Sequence, residues 1–224
     1  MSSHYLNTLR PRLADAIALV SQDWEKPDSV FLAMDIADRF IAANPLPDDQ
    51  LGLLGGVALL IAAKYEGRRE GLQLANSVAA HHHQHYDPST IRSAERSVLS
   101  VIDYDLSWPS PLPFLYRIIA VNKSEDEVRF ASRLLLRCTV ASRQFAHILP
   151  SMLAALCYRL AQQDLTGQEW VSEATCANMQ PARLTRSKTE THVRSSGYNE
   201  EELRPMLATL SKRVRWTYNL GKRG

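Results

Sequence analysis

The side chains able to do chemistry on their own are few and scattered. His81, His82, His83 and His85 form the densest cluster of metal-binding groups, since imidazole ligates transition metals. Only His81 and His85 have the i, i+4 spacing of one helical face, and no cysteine lies nearby to complete a set. A solvated helix end explains this run better, so no metal site is expected. Cys138, Cys157 and Cys176 are odd in number, far apart and without a Cys-x-x-Cys motif, which argues against disulfides and structural zinc. Cys138 and Cys157 read as small core residues. His147 is not tied by spacing to a serine or cysteine nucleophile, and no glycine-rich phosphate loop is present. Neither catalysis by this chain nor a cofactor is expected.

The charge balance excludes other classes. Twenty-six Lys and Arg against twenty-four Asp and Glu leave a formal charge of +2, too little to recruit nucleic acid or an anionic membrane. Apolar residues make up 45% of the 224 and charged ones 22%, the balance of an ordinary globular protein with a sizeable core. The longest apolar run, 51–63, is interrupted by Gly52, Gly55 and Gly56 and is shorter than the roughly twenty residues of a bilayer span. The N-terminus carries no secretory apolar region, so an intracellular protein is expected.

The elements that must position any site are helical. Leu9, Leu13, Ile17 and Val20 recur at spacings of three and four. Asp28 or Ser29 is placed to cap a second helix over 30–42. The turn at 45–49 starts a third, 51–66, which is apolar nearly all round and belongs at the centre of a fold. A softer segment follows over 72–85. Asp87-Pro88, a cap followed by a proline at the first helical position, launches a helix that the pattern carries to Leu106.

The proline-rich stretch 107–113 reads as a break. Behind it the helical pattern restarts over 114–122, 128–145 and 150–163. The second half echoes the first. Arg39-Phe40 followed by Pro45 is answered by Gln144-Phe145 followed by Pro150, and each pair leads into an Ala-rich apolar helix. That is the pattern of two helical domains, each built around a central helix. Residues 172–197 are rich in Ser, Thr and basic side chains and read as a disordered surface loop. Asn199, with Glu202 in capping-box position, then opens a last helix.

The stretches FLAMDIADRFIA, LLGGVALLIAAKYEG, AERSVLSVIDYDLSWPSPLPFL, PSMLAALCYRLA and GYNEEEL, in this order, resemble the cyclin family. The wording is most similar to the mitotic B-type cyclins of fungi, of which this chain would be a divergent or truncated member. The resemblance implies an all-α protein of two tandem five-helix cyclin-box folds. The N-terminal box would span 1–108, and the C-terminal fold 109–224 would be interrupted by the insertion at about 172–197.

It also implies a function: a regulatory subunit that forms a heterodimer with a cyclin-dependent protein kinase and activates it in G2/M control. Such a protein is not itself an enzyme, and nucleus and cytoplasm are its expected location. Matching the family pattern residue by residue, Lys64 and Glu95 would grip the kinase, with Ile61, Leu99, Tyr104 and Leu106 as the apolar surface around them. Arg10 would pair with Asp38 inside the first fold, where Leu53 is a further structural mark. The family's substrate-docking run is altered to Leu9-Arg10-Pro11-Arg12-Leu13, with Ala16 where a tryptophan is usual and Gly52 where a glutamine is usual. Arg-x-Leu docking is therefore not expected. The alternatives are a cyclin-fold adaptor in transcription, which would want a zinc ribbon and a basic face, and a degenerate cyclin that binds a kinase without activating it.

Overall fold

A computed structural model of the chain describes residues 5–20, 28–67, 75–78, 80, 86–166, 196–198 and 200–221. No strand occurs among them. The histidine run 81–85, Cys176 and, apart from Ser196 and Gly197, the expected loop 172–197 lie outside the described residues. The chain divides into two compact units.

The first unit takes residues up to Ser110 together with the short segment Val140–Ala146. A π-helical stretch, Tyr5–Leu9, leads into α1 (Arg10–Val20), followed by α2 (Asp28–Ala43), α3 (Leu51–Tyr65), a helical fragment at 75–78 and α4 (Pro88–Val101). Helix α3 is the hub, packed against α1, α2 and α4. All of it except Leu53, Lys64 and Tyr65 is buried, which is what a helix apolar on every face requires. Gly56 makes one of these contacts possible: a Cβ there would lie 2.4 Å from the Ala75 carbonyl oxygen. The Leu9, Leu13 and Ile17 stripe is buried. Ser29 does not act as the cap of α2; it lies fully buried inside the helix and donates its hydroxyl to Glu66 after α3.

Helix α4 begins as its sequence dictates. The Asp87 carboxylate accepts from the Ser89 and Thr90 amides, and Pro88 fills the first position. The Ser89 hydroxyl above all, then the Thr90 amide and hydroxyl and the Ser89 amide, donate to the charged form and hold the Asp87 pKa down at about 2. Its end departs from expectation: the helix stops at Val101, not Leu106. Asp103 and Tyr104 enter the left-handed region at φ 55° and 56°. The Tyr104 amide donates to the Leu99 carbonyl at 2.8 Å and the Asp103 amide to Ser100 at 3.3 Å. That is a Schellman closure, usually made with glycine.

The second unit comprises Pro111–Thr139 and the residues from His147 onward. It contains α5 (Pro111–Asn122), α6 (Asp126–Val140, whose last residue belongs to the first unit), α7 (Pro150–Thr166) and α8 (Glu200–Gly221). Pro111 and Pro113 belong to the first turn of α5 rather than to a break, where a missing amide proton is harmless. The pattern expected over 128–145 is α6 followed by a 3₁₀ turn, Arg143–Phe145. Helix α7 is the hub here, buried from Leu153 through Ala161 and packed against α5 and α8. Cys157 is fully buried, and burial raises its thiol pKa; Cys138 is only half-buried.

Candidate partner-binding site

Lys64 is the penultimate residue of α3 and Glu95 lies midway along α4. The packing of these helices brings the two together. Lys64 Nζ donates to both carboxylate oxygens of Glu95, at 2.7 and 2.8 Å. The pair is lopsided: the Glu95 side chain is 13% exposed and that of Lys64 54%. The ammonium therefore orients an enclosed carboxylate and keeps a donor for an outside acceptor. Its position in the last turn of α3 also sets it against the negative end of that helix.

Apolar groups flank the pair unevenly. Leu99, one turn after Glu95, is half-buried, as is Leu106. Tyr104 stands 66% exposed in the turn that ends α4, and Tyr65, beside Lys64, is 60% exposed. Ile61 departs from expectation. It is buried at 3%, because α3 is enclosed up to its last turn, so it supports this region from beneath and offers no surface. Leu53 is half-buried on α3.

Arg10 and Asp38 meet inside the first unit. Arg10 Nε donates to both Asp38 oxygens at 3.0 Å, and Nη2 lies 2.9 Å from Oδ2. The guanidinium has further work: Nη1 donates to the Val140 carbonyl at 2.6 Å. Sequence reasoning missed the third member of this cluster, Tyr5, whose hydroxyl donates to Asp38 Oδ1 at 2.9 Å. Burial, and then the neighbouring Asp38 charge, raise the Tyr5 pKa above the usual phenol range. No spacing rule links Tyr5 to a carboxylate on another helix, so the only available signal was an aromatic beside the first apolar stripe.

A second missed group is Arg39, of the Asp-Arg-Phe run. From α2 it donates to the carbonyls of Asp105 at 2.8 Å and Ile102 at 3.2 Å. Asp35, one turn earlier, has its Oδ2 3.6 Å from Arg39 Nη1. That oxygen is buried without a hydrogen-bond partner. Burial outweighs the Arg39 charge and raises the Asp35 pKa to about 6. At the altered docking run Leu9, Leu13 and Ala16 are all buried. Among the described residues no group of three His, Cys, Asp or Glu is arranged to hold a metal, and no helix is long and apolar enough to cross a membrane.

Comparison with known proteins bears on this geometry. Residues 1–107 match the family described as Cyclin, N-terminal domain, and residues 109–218 match Cyclin, C-terminal domain. The chain is 26% identical over 210 residues to the G2/mitotic-specific cyclin-3 of Saccharomyces cerevisiae, covering 93% of this chain and 44% of that protein. It is 30% identical over 186 residues to the G2/mitotic-specific cyclin cig1 of Schizosaccharomyces pombe, covering 80% and 38% respectively. With the G2/mitotic-specific cyclin-B of Emericella nidulans the identity is 29% over 180 residues, covering 79% and 33%. The chain thus spans less than half the length of these relatives. Its fold is similar to that of a viral cyclin from herpesvirus saimiri, with a TM-score of 0.61 at 12% identity over 84% of each chain. The two matched domains account for nearly all of the sequence, and the chain belongs to the cyclin family.

Proposed function

We propose that this chain is the regulatory subunit of a cyclin-dependent protein kinase, forming a heterodimer with it and activating it in G2/M control. Lys64, Glu95, Leu99, Tyr104 and Leu106 form the contact surface, and Ile61 backs it from below. The observation that carries the reading is the Lys64–Glu95 pair, with its sheltered carboxylate and open ammonium. A surface ion pair is worth only about 0–1 kcal/mol to a fold, so stability alone is a weak reason to build one so carefully. A partner's backbone carbonyl is the acceptor that an oriented ammonium suits.

The chain does no chemistry itself. A regulatory subunit of this kind prefers the active arrangement of the kinase, and that differential affinity shifts the kinase toward it. The phosphoryl transfer, with its lysine–glutamate pair and metal-bound ATP, stays in the partner. The reading entails a protein of nucleus and cytoplasm. Its test is capture of the tagged chain from dividing fungal cells, followed by a histone-kinase assay of the eluate. Co-eluting kinase with histone phosphorylation is the expected result. Kinase present but inactive would make the chain a binder without activation, and absence of any kinase would contradict the proposal.

A further inference from the structure

The turn that closes α4 is an unusual one to leave unsupported. It carries two successive non-glycine residues in the left-handed region, Asp103 and Tyr104, a conformation that side chains with a Cβ disfavour. The Leu99, Ser100 and Ile102 carbonyls at this helix end accept amides of the turn itself, so the turn closes on its own backbone and needs a tether to the neighbouring helix. Both residues are exposed, so burial does not hold them in place.

Arg39 meets that need from the neighbouring helix. Its Nη2 donates to the carbonyl of Ile102, just before the two strained residues, at 3.2 Å. Its Nη1 donates to the carbonyl of Asp105, just after them, at 2.8 Å. Nη2 also lies 3.6 Å from Asp105 Oδ2. A planar guanidinium with several fixed donors can bracket a turn in this way, whereas an ammonium offers one point of attachment. Asp105 is fixed in turn by the Ser107 amide at 3.0 Å and by the Ser107 hydroxyl. On the α2 side, Asp35 sits in ion-pair range of Nη1 at 3.6 Å. The other charges near Asp35 are Asp38 on its own helix and Asp105 from the turn. Arg10 of α1 is taken up by Asp38, and Lys64, the charged residue of α3, by Glu95.

We propose that Arg39 is a positioning residue: by fastening the turn at Ile102 and Asp105, it sets where Tyr104 and Leu106 stand for the partner. This rests on the reading of the site given above, and it adds a residue that lies outside the contact surface. Arg39 acts through Tyr104 and need not touch the kinase.

The test joins amide hydrogen exchange on the full chain with a double-mutant cycle against a purified yeast mitotic cyclin-dependent kinase. In Arg39→Gln, the Tyr104 and Asp105 amides exchange about tenfold faster, while protection in α1 and α3 stays as in the wild type. Kinase affinity falls about tenfold in that variant but less than about twofold further when Tyr104→Ala is already present, as expected of two residues acting through one another. Arg39→Lys, which keeps the charge and loses the fork, does not restore protection. Unchanged exchange at Tyr104 in Arg39→Gln overturns the proposal, and so do fully additive losses of affinity. A wild-type chain that does not bind the kinase would fail the reading of the site instead, and the exchange result would still decide whether Arg39 fastens the turn.

Discussion

A carboxylate taken out of water without a hydrogen bond for one of its oxygens is unfavourable, and Asp35 is such a group. Its folded-state pKa of about 6 is raised from an ordinary 3.8, mainly by burial. A raised carboxyl pKa favours the protonated form in the folded protein. The contribution of Asp35 to stability is therefore present below pH 4 and lost as pH rises through about 6. Asp35→Asn, neutral at every pH, is expected to melt higher than the wild type at pH 7.5 and to converge with it near pH 4, as thermal denaturation across that range will show. Equal melting temperatures at pH 7.5 would mean that Arg39 compensates Asp35 fully. At this scale the long-range pairs were legible only where a family pattern spoke. Lys64 and Glu95 are 31 residues apart, Arg10 and Asp38 are 28 apart, and no periodicity relates either pair. Tyr5 and Arg39 had no such guide, because their partners are a carboxylate and two carbonyls that only the folded chain brings near.

Helix identities followed from periodicity, and α3 shows why. A stretch apolar on every face has nowhere to go except the middle of its unit, where α1, α2 and α4 surround it. Close approach then makes one glycine indispensable. At Gly56 an added Cβ would meet backbone, the Ala75 carbonyl oxygen at 2.4 Å, and backbone cannot swing aside as a side chain can. Gly56→Ala is expected to destabilise by about 1–3 kcal/mol, the range of overpacked cores, despite the gain in helix propensity that alanine brings. Urea denaturation measures this, and a variant as stable as the wild type would show that the 75–78 segment can move away. Helix ends were less legible than helix bodies. The end of α4 was hidden because a Schellman closure normally announces itself with glycine, and here aspartate and tyrosine take its place. The start of α5 was hidden for the opposite reason: Pro111 and Pro113 resemble a break, yet proline suits a first helical turn.

At the scale of the whole chain, two units repeat one scheme, an Ala-rich helix surrounded by amphipathic ones: α3 in the first and α7 in the second. That repetition was visible in the sequence as the echo of Arg39-Phe40 and Pro45 in Gln144-Phe145 and Pro150. What the sequence obscured was depth. Ile61, matched to the contact surface by family pattern, is buried, because helical position says which residues share a face and not how far a neighbouring helix covers it. Kinase binding turns on the ion pair between the last turn of α3 and the middle of α4, and its most direct test is an equilibrium one. Purified kinase is titrated with the wild type, Lys64→Ala and Glu95→Ala, with melting temperatures measured alongside. Both variants are predicted to bind at least about a hundredfold more weakly, near 2.7 kcal/mol, while keeping the wild-type fold; Glu95→Ala melts with the wild type because the ammonium it frees is exposed, and Lys64→Ala melts slightly lower because it leaves the sheltered carboxylate unpaired. Either variant binding the kinase at wild-type affinity would contradict the account.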